Sequence, residues 1–170
     1  EEYHKHELQI EWFTPMVWKF VLYTDIEMGA LKGLHRNAVI PYDEQFFMGG
    51  SGMVYGSALR GYPDRAVGPT SNGYPLGGRA LLKYSLELRF PISENPTLYG
   101  LGFFESGNTY LDAEHINPYD LKRSAGVGFR LFMPMLGILG FNFGYGFDSL
   151  DPASTTPAGW QTHFIFGQPF

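Results

Sequence analysis

Hydrophobic and polar residues alternate along most of this chain, and the alternation predicts strands. Arg79 to Phe90 is the clearest case. Ala80, Leu82, Tyr84, Leu86, Leu88 and Phe90 fall on one face, and Arg79, Lys83, Ser85, Glu87 and Arg89 on the other, with Leu81 out of phase. Side chains of a strand point to opposite faces in turn, so such a segment has one apolar and one polar surface. Tyr3 to Phe13 sets Leu8, Ile10 and Trp12 against Glu7, Gln9 and Glu11, and Val17 to Gly29 sets Trp18, Phe20, Leu22 and Ile26 against Lys19 and Asp25. Arg123 to Met133 sets Ala125, Val127, Phe129 and Leu131 against Ser124, Gly126, Gly128 and Arg130. Leu139, Phe141, Phe143 and Tyr145 oppose Gly140, Asn142 and Gly144, and Trp160, Phe164 and Phe166 oppose Gln161 and His163. Weaker signals at Gln45 to Gly50 and Leu98 to Tyr110 bring the predicted strands to eight.

Most prolines fall between these segments, where no ladder hydrogen bond is needed. Residues 51–78, 111–121 and 148–159 are long connections, and 91–97 and 133–137 are short. Long loops on one side and short turns on the other suit a membrane barrel. The stretch 30–44 breaks that rule, because counting eight strands puts it on the short-turn side.

Two architectures explain the pattern. A soluble barrel or sandwich buries its apolar face, whereas a membrane barrel turns it to lipid. Three features favour the membrane. The strands reach the roughly ten residues needed for a tilted crossing. The opposite face is small and polar at Gly126, Gly128, Gly140 and Gly144. Aromatics gather near segment ends, at Trp12, Trp18, Phe90, Tyr110, Tyr145 and Trp160.

Composition sharpens this reading. There are 15 Phe, 11 Tyr, 3 Trp and 22 Gly among 170 residues, a bias toward strands and turns. Mean hydropathy is -0.14, and no apolar run approaches the roughly 18 residues of a spanning helix. Cysteine is absent, which excludes a disulfide framework and a thiolate metal site. The net charge of -5 gives no footprint for nucleic acid. The opening Glu-Glu-Tyr-His-Lys-His has no charged region followed by an apolar one, so the chain reads as a mature or internal piece of an exported protein.

Four stretches together resemble the BamA family of outer-membrane β-barrel assembly factors. Leu59-Arg60-Gly61-Tyr62 resembles the family's Arg-Gly-aromatic loop motif, and Phe46-Phe47-Met48-Gly49-Gly50 the stretch preceding it. Arg123 to Arg130, followed by Pro134 and Gly137, resembles a late barrel strand and its turn. Phe164-Ile165-Phe166-Gly167-Gln168-Pro169-Phe170 resembles the family's C-terminal signal. The spacer between Gly50 and Leu59 is longer than the family's.

The resemblance covers nearly the whole chain. It implies that residues 1–170 form a single β-barrel domain: the last eight strands of a sixteen-stranded barrel, without the POTRA domains and the first eight strands. The expected fold is all-β, an antiparallel transmembrane barrel of eight strands, either closed on itself, the favoured arrangement, or paired eight plus eight with a second copy. The resemblance further implies that Arg60 reaches into the lumen and pairs with Glu105 and Glu87, pinning the loop. Phe164, Phe166, Gly167 and Phe170 would mark the seam strand. The implied function is insertion and folding of β-barrel clients in the bacterial outer membrane, with lipid, client proteins and assembly lipoproteins as partners. A passive structural barrel or pore is the alternative.

Enzymatic and metal readings are weaker. His4 and His6 sit two apart on one strand face but lack a third ligand. His35 with Asp43, and His115 with Asp112 and Glu114, are conceivable dyads without a serine motif. The expectation is therefore no enzyme, no cofactor and no metal.

Overall fold

The computed structural model describes residues 2–35 and 38–167. Its main sheet is antiparallel, and each strand of that sheet lies beside the next of its strands along the chain. The elements are β1 (Tyr3–Pro15), β2 (Val21–Gly33), the two-residue strands β3 (Thr70–Ser71) and β4 (Tyr74–Pro75), β5 (Ala80–Glu94), β6 (Thr97–Tyr110), β7 (Lys122–Met133), β8 (Gly137–Gly146) and β9 (Gly159–Gly167). The main sheet runs β1-β2-β5-β6-β7-β8-β9, and β3 pairs with β4 apart from it. The Asn72-Gly73 turn joining β3 to β4 has positive φ at both residues, the geometry a two-residue hairpin favours.

The register carries the alternation across the whole sheet. One row reads Trp12, Thr24, Leu86, Phe104, Ala125, Tyr145 and Trp160. The row beside it reads Glu11, Asp25, Ser85, Glu105, Ser124, Gly146 and Gly159. The first row faces outward and the second inward, and burial is reversed from that of a soluble protein. Phe104, Val127 and Phe164 are 45%, 60% and 44% exposed, while Ser85, Glu105 and Asn142 are 3%, 2% and 0% exposed. A continuous apolar outer surface of this kind calls for a covering phase or partner.

The weak segment Gln45 to Gly50 is not a strand of the sheet, so the described residues form seven main strands rather than eight. It makes isolated bridges instead, from Phe46 to Gly78, from Met48 to Ser57 and Val67, and from Gly50 to Leu59. These residues are buried because they thread into the concave side of the sheet. Removing this strand from the count corrects the anomaly at 30–44. Residues 34–79 are one connection, on the same end as 111–121 and 147–158, opposite the short turns at 16–20, 95–96 and 134–136.

Among the described residues the expected closure of first strand onto last does not occur. β1 and β9 are the two edges of an open sheet. An eight-stranded ring has an interior just wide enough for side chains. Here the interior holds main chain from the 34–79 connection, which demands a wider curve.

The main apolar cluster lies between that connection and the sheet's inner face. It contains Leu31, Ile40, Phe46, Met48, Leu59, Tyr62, Val67 and Leu81. Leu81, out of phase with the apolar face of its strand, points inward to this cluster. A smaller cluster of Ala80, Leu82 and Tyr110 sits on the outer face with Leu121 against it. The 111–121 loop is held there by Asn108 Nδ2 donating to the Asp120 carbonyl at 2.8 Å and Tyr110 Oη to that of Asn117 at 2.7 Å.

Candidate functional site

The concave face carries the polar rows of β2, β5, β6 and β7. Between these rows and the loop lies a cavity of about 250 Å³ lined by Asp25, Lys83, Glu87, Arg89, Glu105 and Arg130, among others. Alternation places each of these side chains there. Each sits on the strand face opposite the exposed apolar residues.

Arg60, on the loop, enters this polar layer and is 4% exposed. Its Nε and Nη2 donate to Glu105 Oε1 at 2.8 and 2.5 Å, and its backbone N–H donates to Oε2 of the same carboxylate at 2.7 Å. Nη2 also lies 2.7 Å from Glu87 Oε1. Glu87 in turn accepts from Arg89 Nε at 2.9 Å, and Glu105 from Ser85 Oγ at 3.2 Å. The guanidinium stacks 3.9 Å above the Phe103 ring. A planar fork, fixed charge and weak hydration suit arginine to this combination of carboxylates and aromatic face. The structure thus brings Arg60, Glu105 and Glu87 together.

A second polar cluster lies toward β2. Lys83 Nζ is 2.5 Å from Glu27 Oε1 and 3.4 Å from Asp25 Oδ2. Ser57 Oγ, in the long spacer before Leu59, donates to Glu27 Oε2 at 2.7 Å. The spacer folds back on itself, with Ser57 N–H donating to the Phe47 carbonyl at 2.8 Å and Gly49 N–H to that of Ser57 at 3.0 Å.

The loop motif meets the opposite wall by shape. Gly61 has φ +93°, and a Cβ there would stand 3.0 Å from backbone atoms of Tyr145 and Gly146. A Cβ on Gly144 would lie 2.7 Å from the Gly61 nitrogen. The glycines of β8 thus let the main chain of the loop rest directly on the wall. Tyr62 is fully buried; its hydroxyl donates to the Arg123 carbonyl at 2.7 Å and accepts from Asp148 N–H at 3.2 Å. Burial pushes the Tyr62 phenol up to about 12. Leu59 is buried in the apolar cluster.

His163 on β9 completes the contacts: the Gly61 N–H donates to its Nε2 at 3.0 Å. Alternation with Gln161 marks His163 as inward-facing, but nothing local in the sequence names a partner 102 positions away. Ser57 carries no motif signal either, whereas Phe103 opens the Phe-Phe-Glu-Ser-Gly stretch that resembles the family's Phe-x-Asp-x-Gly pattern.

Phe164 and Phe166 lie on the outer face and are about half exposed. Phe164 joins an aromatic row with Phe141 and Phe129, centroids 4.9 and 5.4 Å apart. Gly167 ends β9, and Phe170 lies outside the described residues. His4 and His6 share a face of β1 with ring centroids 5.3 Å apart. His35 pairs with Glu2 at 2.6 Å and Asp112 with Arg79 at 3.4 Å.

Comparison with known proteins gives a consistent picture. The family model described as the Omp85 superfamily domain matches residues 1–170. The chain is 29% identical over 127 residues to the outer membrane protein assembly factor BamA of Neisseria meningitidis serogroup B, covering 71% of this chain and 15% of that protein. Its fold is similar to the crystal structure of BamA from Haemophilus ducreyi lacking POTRA domains 1-3, with a TM-score of 0.75 and 18% identity over 96% of this chain and 35% of that one. The chain therefore spans a minor part of the length of either relative.

Proposed function

The chain belongs to the Omp85 superfamily, and on that premise we propose that it forms part of the membrane-embedded barrel of a bacterial outer-membrane machine that folds and inserts β-barrel client proteins. The observation that carries this reading is the open sheet with its motif loop bound inside: Arg60 joined to Glu105 and Glu87, and the outer surface apolar. Unpaired strand edges cannot face lipid, because every backbone polar group needs a partner there. The edges at β1 and β9 are therefore completed by other barrel strands, by a second copy of this chain, or transiently by a client.

An edge strand offers a row of backbone donors and acceptors on which another strand forms. In this reading β9 serves as such a template, and no covalent bond is made or broken. The Arg60 cluster pins the loop so that the interior stays ordered while the edge exchanges partners. The bilayer, client proteins and assembly-complex lipoproteins are the proposed partners.

The test is the folding rate of an outer-membrane β-barrel client added to liposomes that contain this chain. Folding faster than in empty liposomes is the expected result. Equal rates would leave a passive structural barrel as the role of this chain.

A further inference from the structure

The loop tip is attached to the sheet by two bonds of opposite character. The Arg60 backbone N–H donates to Glu105 Oε2 at 2.7 Å, and the next backbone N–H, that of Gly61, donates to His163 Nε2 at 3.0 Å. The first acceptor is a carboxylate clamped by a guanidinium. The second is a ring nitrogen that accepts only while it carries no proton. A backbone N–H is always a donor, so Nε2 is the acceptor in this bond and the ring proton resides on Nδ1.

We propose that His163 is a positioning residue that ties the loop tip to the edge strand β9, and that its protonation releases this tie while the Arg60 clamp on β5 and β6 holds. Protonating Nε2 sets two N–H groups head to head, and the bond is lost. The geometry leaves little room for rearrangement. Gly61 lies against β8, with Gly144 and Gly146 offering no side chain to push it away. His163 itself is 8% exposed. The charged groups that act on the ring are Asp64 and Arg60 of the loop and Glu105 of β6, while β8 sets the uncharged Asn142 beside it in register.

The consequence is directional. While Nε2 carries no proton the loop bridges β6 to β9 across the inner face. Once it is protonated, that bond from the loop tip to β9 is gone while the ladder between β8 and β9 remains. This inference stands on the Gly61–His163 bond alone and does not depend on the insertase reading.

Amide hydrogen exchange of the full chain in detergent micelles tests it, read as protection relative to the intrinsic rate between about pH 8 and about pH 5. Gly61 in the wild type is expected to lose roughly fivefold protection on acidification, the worth of one net hydrogen bond. The Arg60 amide, on its carboxylate, stays constant and is the internal reference. His163→Gln supplies a neutral acceptor, so its Gly61 protection is expected to be high and independent of pH. His163→Ala is expected to be unprotected at both ends. A flat wild-type profile, or an equal acid loss in His163→Gln, overturns the proposal.

Discussion

The two walls that grip the loop do so by different physics. β2, β5 and β6 present charged side chains: Glu87 and Glu105 hold Arg60, and Glu27, paired with Lys83, holds Ser57. β7 and β8 present glycines and small residues, so Gly61 meets backbone with nothing between, and Tyr62 reaches the carbonyl of Arg123. The charged wall holds the loop at the length of a side chain and requires every buried charge to be matched. The glycine wall holds it at backbone contact and requires an empty volume. A charge removed from the first wall leaves its partners stranded, whereas an atom added to the second produces a collision.

That contrast ranks the expected effects of substitution. Arg60→Ala leaves Glu105 buried without its cation and Glu87 with Arg89 alone, a loss of about 3–5 kcal/mol. It should lower the denaturant midpoint in micelles and expose residues 51–78 to protease. Unchanged cleavage would show that the glycine wall alone secures the loop. Gly144→Ala should cost about 1–3 kcal/mol by overpacking, because the added carbon meets the Gly61 backbone. Gly102→Ala, where nothing lies within 4 Å of the added carbon, is the matched control and should be neutral in the same denaturation assay.

Tyr62→Phe removes only the hydroxyl that bridges Arg123 and Asp148, and should cost about 0.5–1.5 kcal/mol with the loop still docked. A larger loss would mean that this hydrogen bond, rather than contact with the glycines, secures the second wall.

The smallest effect is expected at the exposed Arg123–Asp148 pair beside that wall. The bidentate guanidinium holds the Asp148 carboxyl below the ordinary carboxylate range. A depressed value in the folded state stabilises above the unfolded value and is lost as pH falls through the folded one. Thermal stability of the wild type should thus decline slightly more than that of Asp148→Asn between about pH 4 and about pH 2. Equal acid limbs would mean that solvent screens the pair completely.

Much of the sheet was legible because strand periodicity is local. Each inward residue of β5, β7 and β9 is named by its neighbours two positions away, and the register then extends the same two faces across seven strands. The misread segment shows where local evidence ends. Gln45 to Gly50 has strand-like residues, yet its backbone bonds go to Ser57, Tyr62, Val67 and Gly78 within its own loop, so it never joins the sheet. Arg60, Glu87 and Glu105 were recognisable as a set only through resemblance to a family. His163 and Ser57 had no such signal.

The sequence by itself determined the two-faced strands and the inversion that puts polar residues inside. Tertiary structure decided how wide the sheet curves, which segment fills it, and which long-range partners meet there. The reason is physical. Alternation is set by backbone geometry over two residues, while closure and docking depend on volume and on pairings between residues from 16 to 102 positions apart.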